Sequence, residues 1–234
     1  MSLKDASRRR FMKGALTGIP AVTIGSGVSL TAFADEPPQQ LTDYQPAFFE
    51  AGEWDFIIAA CDRLIPGTGP GPGALDTNVP IFIDRQMEGG FGHAADWYMK
   101  GPFPDDVPAL FGHQIPLTPR EMYREGIAAV NDFCQDRHDA AFAALDDAAR
   151  DQVLTQLQDG EIEMASMRGS YFFDMLLQNT KEGYFADPIH GGNKHMASWK
   201  FIGFPGARAS YREWVDQHNV EYPLGPVSLN GERG

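Results

Sequence analysis

Cysteine is scarce in this chain, and the usual catalytic sequence signatures are missing. Among 234 residues there are 2 cysteines, Cys61 and Cys134, which excludes a C-x-x-C dithiol and a multi-cysteine zinc site. There is no G-x-S-x-G, H-E-x-x-H, G-x-G-x-x-G or G-x-x-x-x-G-K motif. Hydrolase, zincin and nucleotide-binding interpretations therefore lack sequence support.

Basic residues and long apolar runs are also in short supply. There are 19 Lys and Arg against 32 Asp and Glu, a formal net charge of −13. Such an acidic protein repels phosphate backbones and anionic lipid head groups, so we expect no nucleic-acid partner. The one apolar stretch, 14–30, is interrupted by Gly and Pro and is shorter than the roughly 20 residues that span a bilayer. We expect membrane contact only through partners.

The N-terminal segment has the order of parts of an export signal. Ser7–Lys13 matches the twin-arginine consensus S-R-R-x-F-L-K, with Met in the Leu position, and the weakly apolar stretch and an A-x-A site follow. This order predicts a twin-arginine signal peptide over 1–34, recognition by the twin-arginine translocase and delivery of a folded protein to the periplasm. The residues concerned are Arg8, Arg9 and Phe11 in the motif, and Ala32 and Ala34 at the cleavage site.

The remaining sequence predicts one all-α domain. We expect a flexible lead-in over 35–45, because it is polar and contains Pro, and a single compact helical domain over 46–234 with long Gly-, Pro- and aromatic-rich loops. No useful period-2 alternation occurs. The first expected helix follows Pro46 and ends at Leu64, and the second covers Val79–Met87 with Asn78 as cap. The capping box Thr118–Glu121 opens a third helix. Two short helices broken near Asp146 are expected over 139–158, and a last one over Ile162–Asn179.

The two cysteines allow two interpretations. In an oxidising compartment Cys61 and Cys134 can form a disulfide, worth about 4 kcal/mol on the chain-entropy model. Both also lie beside apolar residues on predicted helices, where a buried free thiol is equally normal. The sequence leaves both open.

The segment from 179 to 206 is the densest in polar, Gly and aromatic residues. Asp187, His190 and His195 together have the composition of a two-histidine, one-carboxylate metal site, although Asp before Pro is also a plain turn former. The glycines permit unusual backbone angles, and Trp199, Phe201 and Phe204 supply contact area. Two interpretations follow from composition: a partner-docking surface, or a well-packed C-terminal wrap.

Several stretches of this sequence match the pattern of a known family. They are Asp62–Pro66, Pro72–Ala74 with Val79–Asp84, Gly101–Phe103, Glu182–Pro188 with Gly191–Asn193, and Trp199–Gly206. On these stretches the chain resembles the gluconate 2-dehydrogenase subunit 3 family over about residues 48–210. The sequence departs from the family pattern at Asn179 and His190.

The resemblance implies a three-part, periplasm-facing complex at the outer face of the cytoplasmic membrane. Its other members would be an FAD-binding large subunit of the glucose–methanol–choline type and a multihaem cytochrome c. FAD would belong to the first and haem c to the second, with no cofactor in this chain. The small subunit would be non-catalytic, would bear the export signal for the large subunit and would assist its assembly.

We take five residues as partner-docking candidates: Asp187, Gly191, Gly192, Asn193 and Trp199. Two alternatives remain open at this point. One is a self-sufficient periplasmic enzyme with a metal at Asp187, His190 and His195, and the other is a secreted binding module.

Overall fold

The computed structural model describes residues 39–104, 107–112 and 114–234. The twin-arginine segment and residues 35–38 lie outside the described residues. The described part contains isolated β-bridges but no β-strand, so the predicted all-α class is confirmed. Its α-helices are α1 (Ala51–Leu64), α2 (Val79–Glu88), α3 (Pro119–His138), α4 (Asp147–Gln158), α5 (Gly169–Phe185) and α6 (Ala197–Ile202).

Helix α5 is the centre of the domain and packs against each of the other five helices. Its Phe172 ring lies 6.2 Å from that of Phe56 on α1 and 5.6 Å from that of Tyr123 on α3. A Cβ at Gly126 of α3 would lie 2.4 Å from the Phe172 ring. The close approach of α3 and α5 therefore requires a residue without a side chain at position 126.

Most helix starts follow from local signals in the sequence. The capping box is present as predicted: Thr118 N donates to Glu121 Oε2 at 2.7 Å, and Glu121 N donates to Thr118 Oγ1 at 3.4 Å. Asp146 separates the predicted pair of short segments and caps α4 by accepting a hydrogen bond from Ala149 N at 2.9 Å. These contacts are local, so the sequence predicts them well.

Two helix predictions differ from the structure in detail. Asn78 is the N-cap residue of α2, as predicted, but it is in the left-handed region and does not cap the helix with its side chain; its Nδ2 donates instead to Gln39 O at 2.7 Å. Helix α5 begins at Gly169 rather than at Ile162, because a bridge between Glu163 and Arg168 turns the chain back before the helix starts. It also continues past the predicted end to Phe185.

The part of the lead-in that the structure describes is packed against the domain, contrary to the flexible segment that we expected. Gln39 accepts the bond from Asn78, Gln40 Oε1 accepts one from Lys194 Nζ at 2.7 Å, and Tyr44 is buried.

The described helices include none that is both long and apolar enough to cross a membrane.

A buried carboxylate on α2 holds the chain that leads into α1. Asp84 is 0% exposed. Its Oδ2 accepts hydrogen bonds from Tyr44 Oη at 2.6 Å and Ala47 N at 2.7 Å, and its Oδ1 accepts bonds from Phe48 N at 3.0 Å and Phe49 N at 3.1 Å. Burial, and secondarily the bond to Asp84, raise the pKa of Tyr44, which keeps the phenol neutral as a donor. The paired donors offset the cost of burying this carboxylate.

We expect Asp84→Asn to lower the free energy of unfolding by about 2–4 kcal/mol, because the amide removes the charge and turns an N–H group toward N–H donors. Urea unfolding followed by circular dichroism measures the change. The matched control is Asp55→Asn on the exposed face of α1, which should stay within about 0.5 kcal/mol of the wild type. Equal losses in the two variants would contradict the anchoring role.

Candidate functional site

The C-terminal end of α5 is completed by side chains from the loop that follows it. The last carbonyl groups of an α-helix lack partners within the helix. Here three consecutive carbonyls each accept a hydrogen bond from a side chain further along the chain. The bonds are Ser198 Oγ to Tyr184 O, Trp199 Nε1 to Phe185 O (2.9 Å) and Asn193 Nδ2 to Ala186 O (2.9 Å).

Asn193 is the central residue of this arrangement. It is 0% exposed and left-handed, with φ of 44°. While its Nδ2 donates to the helix end, its Oδ1 accepts a bond from Ser198 N at 3.0 Å and lies 2.6 Å from Ser198 Oγ, whose single proton it shares with Tyr184 O. An amide is the side chain with both a donor and an acceptor in this geometry, and Asn tolerates the left-handed region better than most residues.

Two glycines allow the loop to lie directly on α5. A Cβ at Gly192 would lie 2.2 Å from Gly183 O, and a Cβ at Gly183 would lie 2.8 Å from the Phe82 ring of α2. The loop backbone therefore lies directly on the backbone of α5, and the Phe82 ring of α2 packs against α5 at the same point. Lys194 N donates to Thr77 O at 3.1 Å and ties the same loop to the turn before α2.

Asp187 has a structural role in this loop. Its Oδ1 accepts a bond from Ile189 N at 3.1 Å and caps the short 3-10 turn Pro188–His190. Its Oδ2 accepts a bond from Leu229 N at 2.7 Å, which joins it to the C-terminal part of the chain. Both oxygens are thus occupied by backbone N–H groups.

The metal site suggested by the sequence is not formed by this geometry. Within the described residues there is no group of three or more His, Cys, Asp and Glu side chains placed to hold a metal ion. Asp187 is engaged with the backbone, and the His195 ring points to Glu232, with Nδ1 3.9 Å from Oε1. The described geometry therefore gives no support to a metal centre at Asp187, His190 and His195.

The docking candidates are mostly part of the loop interior. Gly192, Asn193 and Trp199 are buried, while Asp187 and Gly191 are half-buried. Their contacts set the shape of the loop, and it is neighbouring side chains that face solvent. We call this exposed apolar group the α6 surface: it consists of Phe185, Ile189, Phe201, Ile202 and Phe204.

The α6 surface is supported from beneath by the glycine- and proline-rich loop 67–73. A Cβ at Gly71 would lie 2.7 Å from the Phe201 ring, and Tyr184 Oη donates to Pro72 O at 2.8 Å. The Phe204 ring lies 5.0 Å from that of Trp199, edge to face. The Phe201 and Phe204 rings are thus each packed against a neighbouring part of the domain, which favours a fixed position for these two rings.

Comparison with known proteins supports the assignment suggested by the sequence. The family model for gluconate 2-dehydrogenase subunit 3 matches residues 51–206. The chain belongs to the gluconate 2-dehydrogenase subunit 3 family. Searches of curated proteins and of solved structures find no match.

The family match places the described site in context. The matched range begins at the first residue of α1 and ends at Gly206, just after the α6 surface. Family membership identifies the chain as a subunit-3-like accessory subunit and implies partnership with the other gluconate dehydrogenase subunits. Residues 207–234 lie outside the match.

Asn179, where the sequence departs from the family pattern, is a buried position on α5. Its Nδ2 donates to Tyr123 Oη at 3.0 Å, and burial raises the pKa of that phenol. Asn179 also borders a cleft of about 470 Å³ beside Phe91 and Trp97. In this subunit the amide links α5 to α3.

Both cysteines are free, buried thiols in the structure. Cys61 Sγ lies 3.8 Å from Thr180 Oγ1 on α5, and Cys134 lies on the buried face of α3. Of the two interpretations open from the sequence, the structure thus has the buried free thiols and not the disulfide.

We expect Asn193→Asp to destabilise the subunit by about 2–4 kcal/mol, because it removes the donor to Ala186 O and sets a carboxylate against that carbonyl. Thermal or urea unfolding measures the loss. Asn219→Asp is a matched control, since Asn219 is also left-handed (φ of 56°) but exposed, and its change should stay within about 0.5 kcal/mol. A stable Asn193→Asp subunit would contradict the capping role.

The thiols should be inert in the native subunit. Burial raises the pKa of Cys61 to about 12 and that of Cys134 to about 11, so at neutral pH each remains an uncharged, inaccessible thiol. Titration with a thiol reagent should find neither in the native protein and both after unfolding without reductant. Recovery of no thiol after unfolding would instead indicate the disulfide.

Proposed function

We propose that this chain is the non-catalytic small subunit of a periplasm-facing, FAD-dependent sugar or aldonate dehydrogenase. In this role it bears the export signal for the flavoprotein large subunit and assists its assembly. The observation on which the proposal rests is the combination of two parts in one chain: the family match over the helical domain and the twin-arginine motif at Ser7–Lys13 that precedes it.

The division of chemistry follows from that role. FAD is proposed to bind the large subunit, of the glucose–methanol–choline type, and haem c the cytochrome subunit. The polar residues that looked most like a catalytic cluster, Asp187, His190 and His195, do not converge, and Asp187 is used to hold the loop. This use supports a structural rather than a catalytic role for the segment.

The α6 surface is the proposed docking face for the large subunit. Its side chains are exposed, with Phe201 at 51% and Ile202 at 53% of their accessible area, and its Phe204 ring packs against the buried Trp199. Contiguous exposed apolar side chains commonly mark protein–protein contacts. The complex is proposed to reach the outer face of the cytoplasmic membrane through its partners, after transport by the twin-arginine translocase.

Replacement of the arginine pair tests the export role. We expect Arg8→Lys with Arg9→Lys to reduce periplasmic dye-linked dehydrogenase activity to near background, because the translocase would no longer recognise the signal that serves both subunits. The flavoprotein should then accumulate in the cytoplasm, as seen by immunoblotting of cell fractions.

Arg10→Lys is the matched control, since Arg10 occupies the variable position of the motif, and it should leave export unchanged. If the flavoprotein reached the periplasm active and in normal amount with the double replacement, the carrier role would fail. Export of this chain without any associated flavoprotein would point to a secreted binding module.

A further inference from the structure

The C-terminal part of the chain, residues 207–234, which we call the tail, contains a tight turn over residues 228–232. Ser228 N donates a hydrogen bond to Glu232 O at 2.9 Å, and Glu232 N donates back to Ser228 Oγ at 3.1 Å. Gly231 N donates to Ser228 O at 3.0 Å, and Gly231 is in the left-handed region with φ of 84°. The residues between Ser228 and Glu232 therefore form a short loop that a left-handed glycine closes.

Asn230 lies in this loop directly before Gly231, and its side chain is exposed. Among the described residues its side-chain amide has no hydrogen-bond partner, whereas the amides of Asn78, Asn179 and Asn193 each have one. An exposed side chain without such a partner changes rotamer freely. The Cγ atom of Asn230 can therefore approach the backbone nitrogen that follows it.

The residue after an asparagine decides how easily the side chain reacts with the main chain. The next backbone nitrogen attacks Cγ and forms an N–Cγ bond, while Nδ2 leaves as ammonia with the proton of the attacking N–H group. Water then opens the resulting succinimide ring, to aspartate or, by addition at the main-chain carbonyl, to isoaspartate. Because Gly231 has no Cβ, nothing beside its nitrogen obstructs this attack.

The hydrogen bond from Gly231 N to Ser228 O opposes the reaction, because it holds the attacking nitrogen in the folded turn. This bond must open first. Leu229, Asn230 and Gly231 are all exposed, and exposed loops open locally at a much smaller cost in free energy than global unfolding. The ring closure is therefore accessible without unfolding of the domain.

The same turn attaches the tail to the loop after α5. Leu229 N donates to Asp187 Oδ2 at 2.7 Å, and Glu232 Oε1 lies 3.9 Å from His195 Nδ1. An isoaspartate adds one methylene group to the main chain within the turn. The pairing of Ser228 with Glu232 depends on the length of that main chain, so we expect the isoaspartyl turn to lose it.

We propose that Asn230–Gly231 is a site of spontaneous deamidation in the folded subunit, and that its isoaspartyl product loosens the attachment of the tail to Asp187. Water is the only co-reactant, and ammonia is the only product released. The inference goes beyond the proposed function and does not depend on it, because the tail lies outside the family match.

Asn219 provides a matched comparison within the same chain. It is also exposed and also lies in the tail, with a left-handed φ of 56°. The residue after it is Val220, whose branched side chain crowds the attacking nitrogen. If exposure alone decided the reaction, the two asparagines would react equally, whereas ring closure through the next nitrogen favours Asn230.

Incubation of the purified subunit, together with any subunits that co-purify, tests the site. Samples are taken over time at mildly alkaline pH and digested under mildly acidic conditions that suppress further reaction. Peptide mass spectrometry and enzymatic methylation of isoaspartate then measure the products. We expect Asn230 to convert at least about tenfold faster than Asn219, with isoaspartate as the main product.

Two variants separate the chemistry from its structural effect. Asn230→Gln keeps an exposed amide but needs a less favourable six-membered ring, so it should stay unmodified. In hydrogen-exchange measurements, the Leu229 amide of the incubated wild type should exchange at least about tenfold faster than before incubation, while that of incubated Asn230→Gln should not change. Fresh Asn230→Asp, which adds the charge without lengthening the main chain, should exchange like the fresh wild type.

Three results would overturn the site itself or its effect. Equal conversion of Asn230 and Asn219 would refute the site, because reactivity would then follow exposure alone. Conversion of Asn230 only in urea would also refute it, since the folded turn would then protect the asparagine. Unchanged exchange at Leu229 in the isoaspartyl subunit, or faster exchange already in fresh Asn230→Asp, would contradict loosening of the tail by a longer main chain.

Discussion

The end of α5 imposes the constraint on which the C-terminal half of the domain depends. A helix that ends at a packed position must find donors for its last carbonyls, and here Ser198, Trp199 and Asn193 supply them. To do so the chain has to turn sharply and lie against α5, because no side chain fits between Gly183 and Gly192. The start of α6 is thereby fixed relative to the end of α5. The orientation of the exposed rings is a consequence of that turn.

A second buried anchor does the same for the start of the domain. The Asp84 carboxylate holds the chain before α1 against α2, and the bond from Lys194 N to Thr77 O joins the turn before α2 to the loop after α5. Asp84 and Asn193 both lie within the range that the family model matches.

Local signals in the sequence predicted the helices well where the deciding contacts are local. The Thr118–Glu121 capping box and the Asp146 cap are examples, since both partners lie within one turn. The failures involve contacts outside the helix concerned: Asn78 donates to Gln39, and the start of α5 depends on the bridge between Glu163 and Arg168. The sequence singled out the segment that follows α5, but it did not predict that most of the docking candidates are buried. A Gly-rich loop has no periodicity from which burial can be deduced, so Asn193 and Trp199 looked available for docking, and Asp84, hidden in an apolar run, was missed.

The attachment of the tail has a consequence for how such subunits diverge. Residues 207–234 are held largely through main-chain groups: Ala207 to Val227, Val227 to Pro205, and Leu229 to the Asp187 carboxylate. Backbone hydrogen bonds place few demands on side-chain identity, apart from Gly206, where a Cβ would lie 2.2 Å from Val227 O. Mutations can therefore accumulate across the outward side chains of this segment without loosening it. The attachment of the tail to the domain therefore constrains its exposed side chains very little.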